Sequence, residues 1–232
     1  MVNKLKEVLN YIYYGILENL FFTSEECLLC KGICEEPYIC NKCISKIKLC
    51  GDKYYICNKE YNICCYSLAY YASPIKEIIF KLKFNKNPIA SLVLINLLIK
   101  HISIDYEDID LITYVPMMKK DEKKRGYNQS KLLAEYLGNK NNIKLISSVI
   151  KVENTKNQIG LDRRNRWENM QGAFVLKAKK QCIKDKKIVI VDDVITTGAT
   201  CFYCAKELID GGAKEVLILS VAKSGIGSKI TV

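Results

Sequence analysis

The chain has 232 residues, 49% of them hydrophobic and 26% charged, the balance of a soluble globular protein with one large domain or one domain plus a small module. Its longest apolar run, residues 92–98, is broken by Asn96 and falls far short of the ~20 residues a membrane span needs, so a membrane bundle is excluded together with disorder and fibrous repeats. The 36 basic side chains exceed the 25 acidic ones by 11, and a single histidine, His101, leaves no imidazole network for a Ser-His-Asp triad, a Cys-His pair or a multi-histidine metal site.

Charge is uneven along the chain. Residues 1–65 balance at eight basic and eight acidic, residues 66–177 carry 19 against 11, and residues 178–232 carry 9 against 6. The positive field that would draw an anionic ligand or nucleic acid therefore belongs to the later part, although a Lys-rich face that only confers solubility is the plainer reading of charge alone. Nine of the twelve cysteines lie in residues 1–65, and this sets a composition boundary near residue 65.

At the start, Leu5, Val8, Leu9, Ile12, Tyr13, Ile16, Leu17 and Leu20 recur at helical spacing and predict an amphipathic helix that docks on the rest of the protein. Its polar face mixes Glu with Lys and lacks the basic stripe of a membrane anchor. Glu7, Asn10 and Glu18 interrupt what a signal peptide would need as an apolar core, so a cytoplasmic protein without stable membrane insertion is expected. In a reducing compartment clustered cysteines more often bind metal than form disulfides. Two pairs, Cys27-x-x-Cys30 and Cys40-x-x-Cys43, each let one tight turn aim two sulfurs at the same ion, so four thiolates are expected to close a structural, tetrahedral zinc site. Cys34 or Cys50 could replace one of these ligands, while Cys57, Cys64 and Cys65 read as buried thiols.

Farther on, residues 111–116 predict a buried strand, followed by Met117, Met118 and Lys119, and Arg125-Gly126-Tyr127-Asn128-Gln129 opens a helix through Leu137. Asn157, Gln158, Asp162, Arg163, Arg164 and Arg166 make a basic segment that, from its residues alone, reads equally as a basic surface loop or as one that closes over a ligand's negative charge. Ile188, Val189, Ile190 and Val191 form an unbroken β-branched run, as in a buried parallel strand, with Asp192 and Asp193 at its carboxyl end. Thr196, Thr197, Gly198, Ala199 and Thr200 then supply hydroxyls, backbone N–H groups and one glycine, before a helix that starts near Cys201 and stops at Gly211-Gly212. Strand, acids, small-residue loop and helix N-terminus together make a phosphate cradle, with two carboxylates placed to accept from a ribose diol.

This segment resembles the phosphoribosyl-pyrophosphate (PRPP) fingerprint of type I phosphoribosyltransferases. The resemblance implies that Asp192 and Asp193 bind the ribose hydroxyls, and that residues 196–200 wrap the 5′-phosphate. It also implies that Met117, Met118 and Lys119 lie where pyrophosphate binds, and that Arg163 and Arg164 act from the mobile catalytic loop. With the paired cysteines, Tyr71-Ala72-Ser73-Pro74-Ile75-Lys76 and Lys81-Leu82-Lys83-Phe84, the chain is similar over nearly its whole length to the ComF family. That likeness implies an α/β fold: a type I phosphoribosyltransferase-like parallel sheet flanked by helices over residues 66–232, preceded by a small four-cysteine zinc module over residues 1–65. It further implies zinc, Mg2+ with PRPP or a ribose 5-phosphate-type ligand, and a role in natural transformation with single-stranded DNA and the DNA-uptake machinery as partners. Glutamine-dependent amination is not expected, because Val2 rather than Cys follows Met1. Two functions stay open: a transferase that passes a phosphoribosyl group to a base or amine, and a binding protein that keeps the pocket as a sensor while aromatics among the basic residues, Tyr114, Tyr127 and Trp167, stack on a single strand. Core packing is the plainer reading for Tyr114 and an open one for Trp167.

Overall fold

The run Ile188, Val189, Ile190, Val191 offers no polar side to solvent, and the fold buries both of its faces. The computed structural model describes residues 26–34, 38–84, 87–152, 163–225 and 229–231; the helix expected over residues 5–20 and the residues Asn157, Gln158 and Asp162 lie outside them. In chain order the elements are α1 (Asn41–Ile44), β1 (Tyr54–Cys57), β2 (Asn62–Tyr70), α2 (Ile75–Phe84), α3 (Pro88–His101), β3 (Leu111–Tyr114), α4 (Lys119–Arg125), α5 (Gln129–Lys140), β4 (Lys144–Leu145), β5 (Val149–Lys151), α6 (Arg163–Met170), β6 (Phe174–Leu176), α7 (Lys180–Ile183), β7 (Lys187–Ile195), α8 (Ala199–Asp210), β8 (Glu215–Lys223) and β9 (Lys229–Thr231).

Seven strands form one sheet in the order β4-β3-β7-β8-β2-β1-β9. The first five run parallel, β1 is antiparallel to β2, and β9 is parallel to β1. β5 and β6 make a separate antiparallel ribbon. Alternation along the strands divides the core in two. Val189 and Val191 of β7 and Leu219 and Val221 of β8 pack in one cluster with α2, α3 and α5, whereas Ile188, Ile190 and Ile218 pack in another with Phe202 and Leu208 of α8.

The cysteine-rich segment is built into this body. Cys27, Leu28, Ile39 and Ile47 share the α2–α3 cluster, and Cys64 and Cys65 pair with Leu217 and Ile218 of β8. The composition shift near residue 65 thus falls inside β2, because the thiols there serve as small core side chains. Cys57 and Cys65 are buried and Cys64 is half-buried.

Side-chain caps fix the helices that surround the site. Asn87 accepts from the backbone N–H of Ile89 at 2.9 Å, with Pro88 at the first turn of α3. Asn128 accepts from Lys131 N–H at 3.2 Å to start α5, while its Nδ2 donates to Val115 O at 3.0 Å. Such caps are each worth about 1 kcal/mol. Among the described residues, no helix is long and apolar enough to cross a membrane.

Candidate functional site

Strand β7 does not end at Val191 as the apolar run suggests. Its ladder with β8 continues, pairing Asp192 with Ser220, Val194 with Ala222 and Ile195 with Lys223. The two acids are therefore held in the sheet itself, at its carboxyl edge, where parallel α/β sheets bind ligands. The chain then turns through Thr196 and Thr197 to Gly198, whose φ of 84° lies in the left-handed region and which caps the start of α8. A Cβ on Gly198 would also stand 2.8 Å from Ile56 Cδ1, so only glycine fits this corner. The helix begins two residues before Cys201, at Ala199, whose N–H donates to Thr197 Oγ1, and its first turn lines a cleft of about 270 Å3. Tyr71, Lys83, Met170 and residues 192–201 line that cleft.

Each acid has its own partners. Asp192 accepts from Ser130 Oγ at 2.8 Å and from the backbone N–H of Asp193 at 2.9 Å, and Cys201 Sγ donates to its other oxygen at 3.3 Å. Burial and the neighbouring Asp193 charge push the Asp192 carboxyl up to about 6, against the pull of those donors. Lys83 Nζ meets both oxygens of Asp193, at 3.0 and 2.9 Å. Ser130 reaches Asp192 because Asn128 ties the start of α5 to the end of β3.

Of the residues the sequence singles out, Asp192, Asp193, Thr196, Thr197, Gly198, Ala199 and Thr200 come together around the cleft. Met117, Met118 and Lys119 are not among the described residues lining it: Met118 is buried as the cap of α4, and Lys119 is exposed on that helix's first turn. Arg163 and Arg164 begin α6, with side chains outside the described residues. Trp167 is buried, packing edge-on against Phe202 at 5.3 Å, so it is a core residue and no platform for a base. Tyr71, Lys83, Ser130, Met170 and Cys201 are site residues that the sequence reading did not assign. Tyr71 and Lys83 do stand in the two motifs quoted for the family, and that was the signal that could have found them.

A second constellation forms at the paired cysteines. The Sγ atoms of Cys27, Cys30, Cys40 and Cys43 all lie within 4.8 Å of one another, with Cys30 and Cys40 at 3.6 Å. Tetrahedral coordination at about 2.3 Å per Zn–S bond asks for sulfurs about 3.8 Å apart, so the cluster fits such an ion. Burial would raise the Cys27 thiol, yet backbone hydrogen bonds from Cys30, Cys40 and Leu29 bring it down to about 6, which favours the thiolate a metal needs. Cys34 stands outside the cluster of four; burial and the nearby thiolates push it up to about 11. Cys50 is buried beside β2, where its N–H donates to Leu68 O.

The parallel sheet, the acid pair at its edge and the glycine-started helix define an α/β protein with a ligand cleft at the carboxyl edge of its sheet, to which four clustered thiols able to bind a metal ion are added. No protein-family model matches the chain. It is 30% identical over 164 residues to the DNA utilization protein YhgH of Escherichia coli, covering 68% of this chain and 71% of that protein. It is 33% identical over 116 residues to Competence protein F of Haemophilus influenzae, covering 50% of this chain and 51% of that protein, so the match spans about half that relative's length. Competence protein ComFC of Bacillus subtilis is 30% identical over 98 residues, covering 42% and 38%. The chain belongs to the ComF family. Among solved structures, glutamine PRPP amidotransferase from B. subtilis covers 61% of this chain and 30% of its own, at 18% identity and a TM-score of 0.42, a likeness that adds nothing to what the sheet order shows.

Proposed function

We propose that this protein binds PRPP, or a related ribose 5-phosphate ligand, with Mg2+ in the cleft, and that it works in the cytoplasm in DNA uptake, handling incoming single-stranded DNA with the uptake machinery. The observation that carries the ligand is the juxtaposition of Asp192 and Asp193 with the N–H groups at the start of α8 in one cleft. The carboxylates accept from the ribose hydroxyls, and the helix N-terminus with Thr196, Thr197 and Thr200 holds the 5′-phosphate. Mg2+ bound to the pyrophosphate neutralises its charge. Lys83 places a cation against one of these carboxylates, Asp193. The role in DNA handling is supported by the names of the relatives, Competence protein F and DNA utilization protein YhgH. Cys27, Cys30, Cys40 and Cys43 hold a structural zinc ion in this reading, and Arg163 and Arg164, at the start of α6, neutralise the departing pyrophosphate.

The test is a calorimetric titration of zinc-loaded protein with Mg-PRPP, wild type against Asp192→Asn/Asp193→Asn. Binding that disappears in the double variant supports the reading, and no binding by the wild type overturns it. Pyrophosphate release with a base or amine present would make the protein an active phosphoribosyltransferase. That second reading is favoured by a cleft that combines an acid pair with a cation, since this reaction needs positioning and charge neutralisation rather than a histidine.

A further inference from the structure

We propose that the outer face of α2, together with Arg125 of α4, is a stacking shelf for the bases of single-stranded DNA; the inference rests on the DNA-handling part of the reading above and names its surface. Ile75, Ile78, Ile79 and Leu82 take the buried face of α2, which leaves Phe80 and Phe84 side by side on the opposite face. They are 57% and 60% exposed, with ring centroids 4.8 Å apart. The Arg125 guanidinium lies 5.8 Å from the Phe84 ring centroid, as in a cation–π pair. α4 buries none of its seven residues, and five of them are basic against two acidic.

Two bare rings beside a basic helix are what a sequence-tolerant single-strand site requires, since rings stack on bases and cations follow the phosphates. The charge also selects the occupant. An apolar helix would have to desolvate Arg125 and the lysines without supplying anions, and a second copy would bring a face whose α4 again carries five basic side chains against two acidic, whereas a polyanion pairs with them. The strand runs beside the cleft rather than into it. Asp192 and Asp193 repel phosphodiesters, and deoxyribose has no 2′-hydroxyl to offer them. Lys83, one residue before Phe84, faces the cleft through Asp193 and marks the border between the two sites.

The test is fluorescence anisotropy of a labelled oligothymidylate of about 20 nucleotides with the zinc-loaded full chain. Phe80→Leu/Phe84→Leu keeps apolar bulk but removes the rings, and is expected to weaken binding at least about tenfold, while Phe80→Tyr/Phe84→Tyr stays within about twofold of wild type. Arg125→Ala is expected to reduce the slope of affinity against log salt by about 0.7. Mg-PRPP titrations are expected to be unchanged across the set, which shows that each variant is folded. Wild-type affinity in the leucine variant overturns the shelf, as does a leucine variant that alters only self-association in sedimentation. If the wild type binds no oligonucleotide, the DNA-handling reading falls with the shelf, and the Mg-PRPP titration still judges the cleft on its own.

Discussion

Lys83 grips both carboxylate oxygens of Asp193, at 3.0 and 2.9 Å, across 110 residues of sequence. The pair joins α2 to the carboxyl edge of β7 and half-neutralises the acid pair before any ligand arrives. A cation fixed on a helix needs no loop closure to reach the cleft.

Replacing it with Lys83→Met is expected to weaken Mg-PRPP binding about tenfold, because an anionic ligand loses a positioned charge. The unscreened Asp193 would also hold the Asp192 proton more tightly, so the acid limb of binding moves to higher pH. Both side chains are mostly buried, at 21% and 12% exposure, and Asp193 would lose its partner beside a second acid, so unfolding free energy should fall by about 3 kcal/mol. Calorimetry over a pH series, with urea unfolding beside it, reads all three effects.

Asp192 titrates near pH 6 in the folded protein because burial and the Asp193 charge disfavour its ionised form. Its folded value lies above the unfolded one, near 4, so between about pH 4 and 6 the native state keeps a proton the unfolded chain has lost. Stability from this group is complete below that window and is lost as pH rises through it. Asp192→Asn stays neutral throughout, and should unfold on the order of 2 kcal/mol later than wild type at pH 7.5 and level with it near pH 4. Ligand binding runs the other way: wild-type affinity for Mg-PRPP should fall below about pH 6, where the acceptor is protonated. Equal stability differences at both pH values would contradict the assignment.

Gly198→Ala introduces a left-handed φ of 84° on an L side chain and drives its Cβ to within 2.8 Å of Ile56 Cδ1. A loss of about 2–3 kcal/mol in urea unfolding is expected, part from the backbone and part from the collision. Ile56→Val, which removes the offending methyl, should cost about 1 kcal/mol in the wild type and close to nothing beside Gly198→Ala. Additive losses would mean that the two side chains do not meet.

The four clustered thiols predict one tightly held zinc per chain. Cys27→Ser and Cys43→Ser are each expected to lose stoichiometric metal and the intense thiolate charge-transfer band of the cobalt-substituted protein. Cys34→Ser and Cys50→Ser should retain both. Retention of the band in all four variants would disperse the site.

The strand, acid pair and turn that line the cleft were legible because they are local: a β-branched run, two acids, a threonine–glycine turn and a helix follow one another within residues 187–200, and short-range sterics shape them. The paired cysteines were legible for the same reason. What the sequence hid is the set of partners brought from elsewhere. Ser130 comes to Asp192 across 62 residues, and its placement depends on a cap at Asn128 that no periodicity reveals. Lys119 stands apart from the residues lining the cleft because Met118 turns inward and starts a helix with no buried face. For Trp167 the sequence left core packing and base stacking open, and the aromatic ring of Phe202 draws it into the core. β1 and β2 were obscured by their cysteines, which fill the sheet as small side chains.

Ser67 of β2 meets Ser220 of β8 at 2.6 Å, although 153 residues separate them. A ribosome adding about 5–20 residues per second makes the first of these strands roughly 8 to 30 s before the second. Through that interval the β1–β2 hairpin has one ladder and an open edge bearing Cys65, and parallel pairing over such a span is slow to form. The four-thiol turn, spanning residues 27–43, is complete long before. Biogenesis of this protein is therefore governed by how long one unfinished strand edge is shielded, by its own N-terminal neighbours or by a chaperone, until its distant mate has been synthesised.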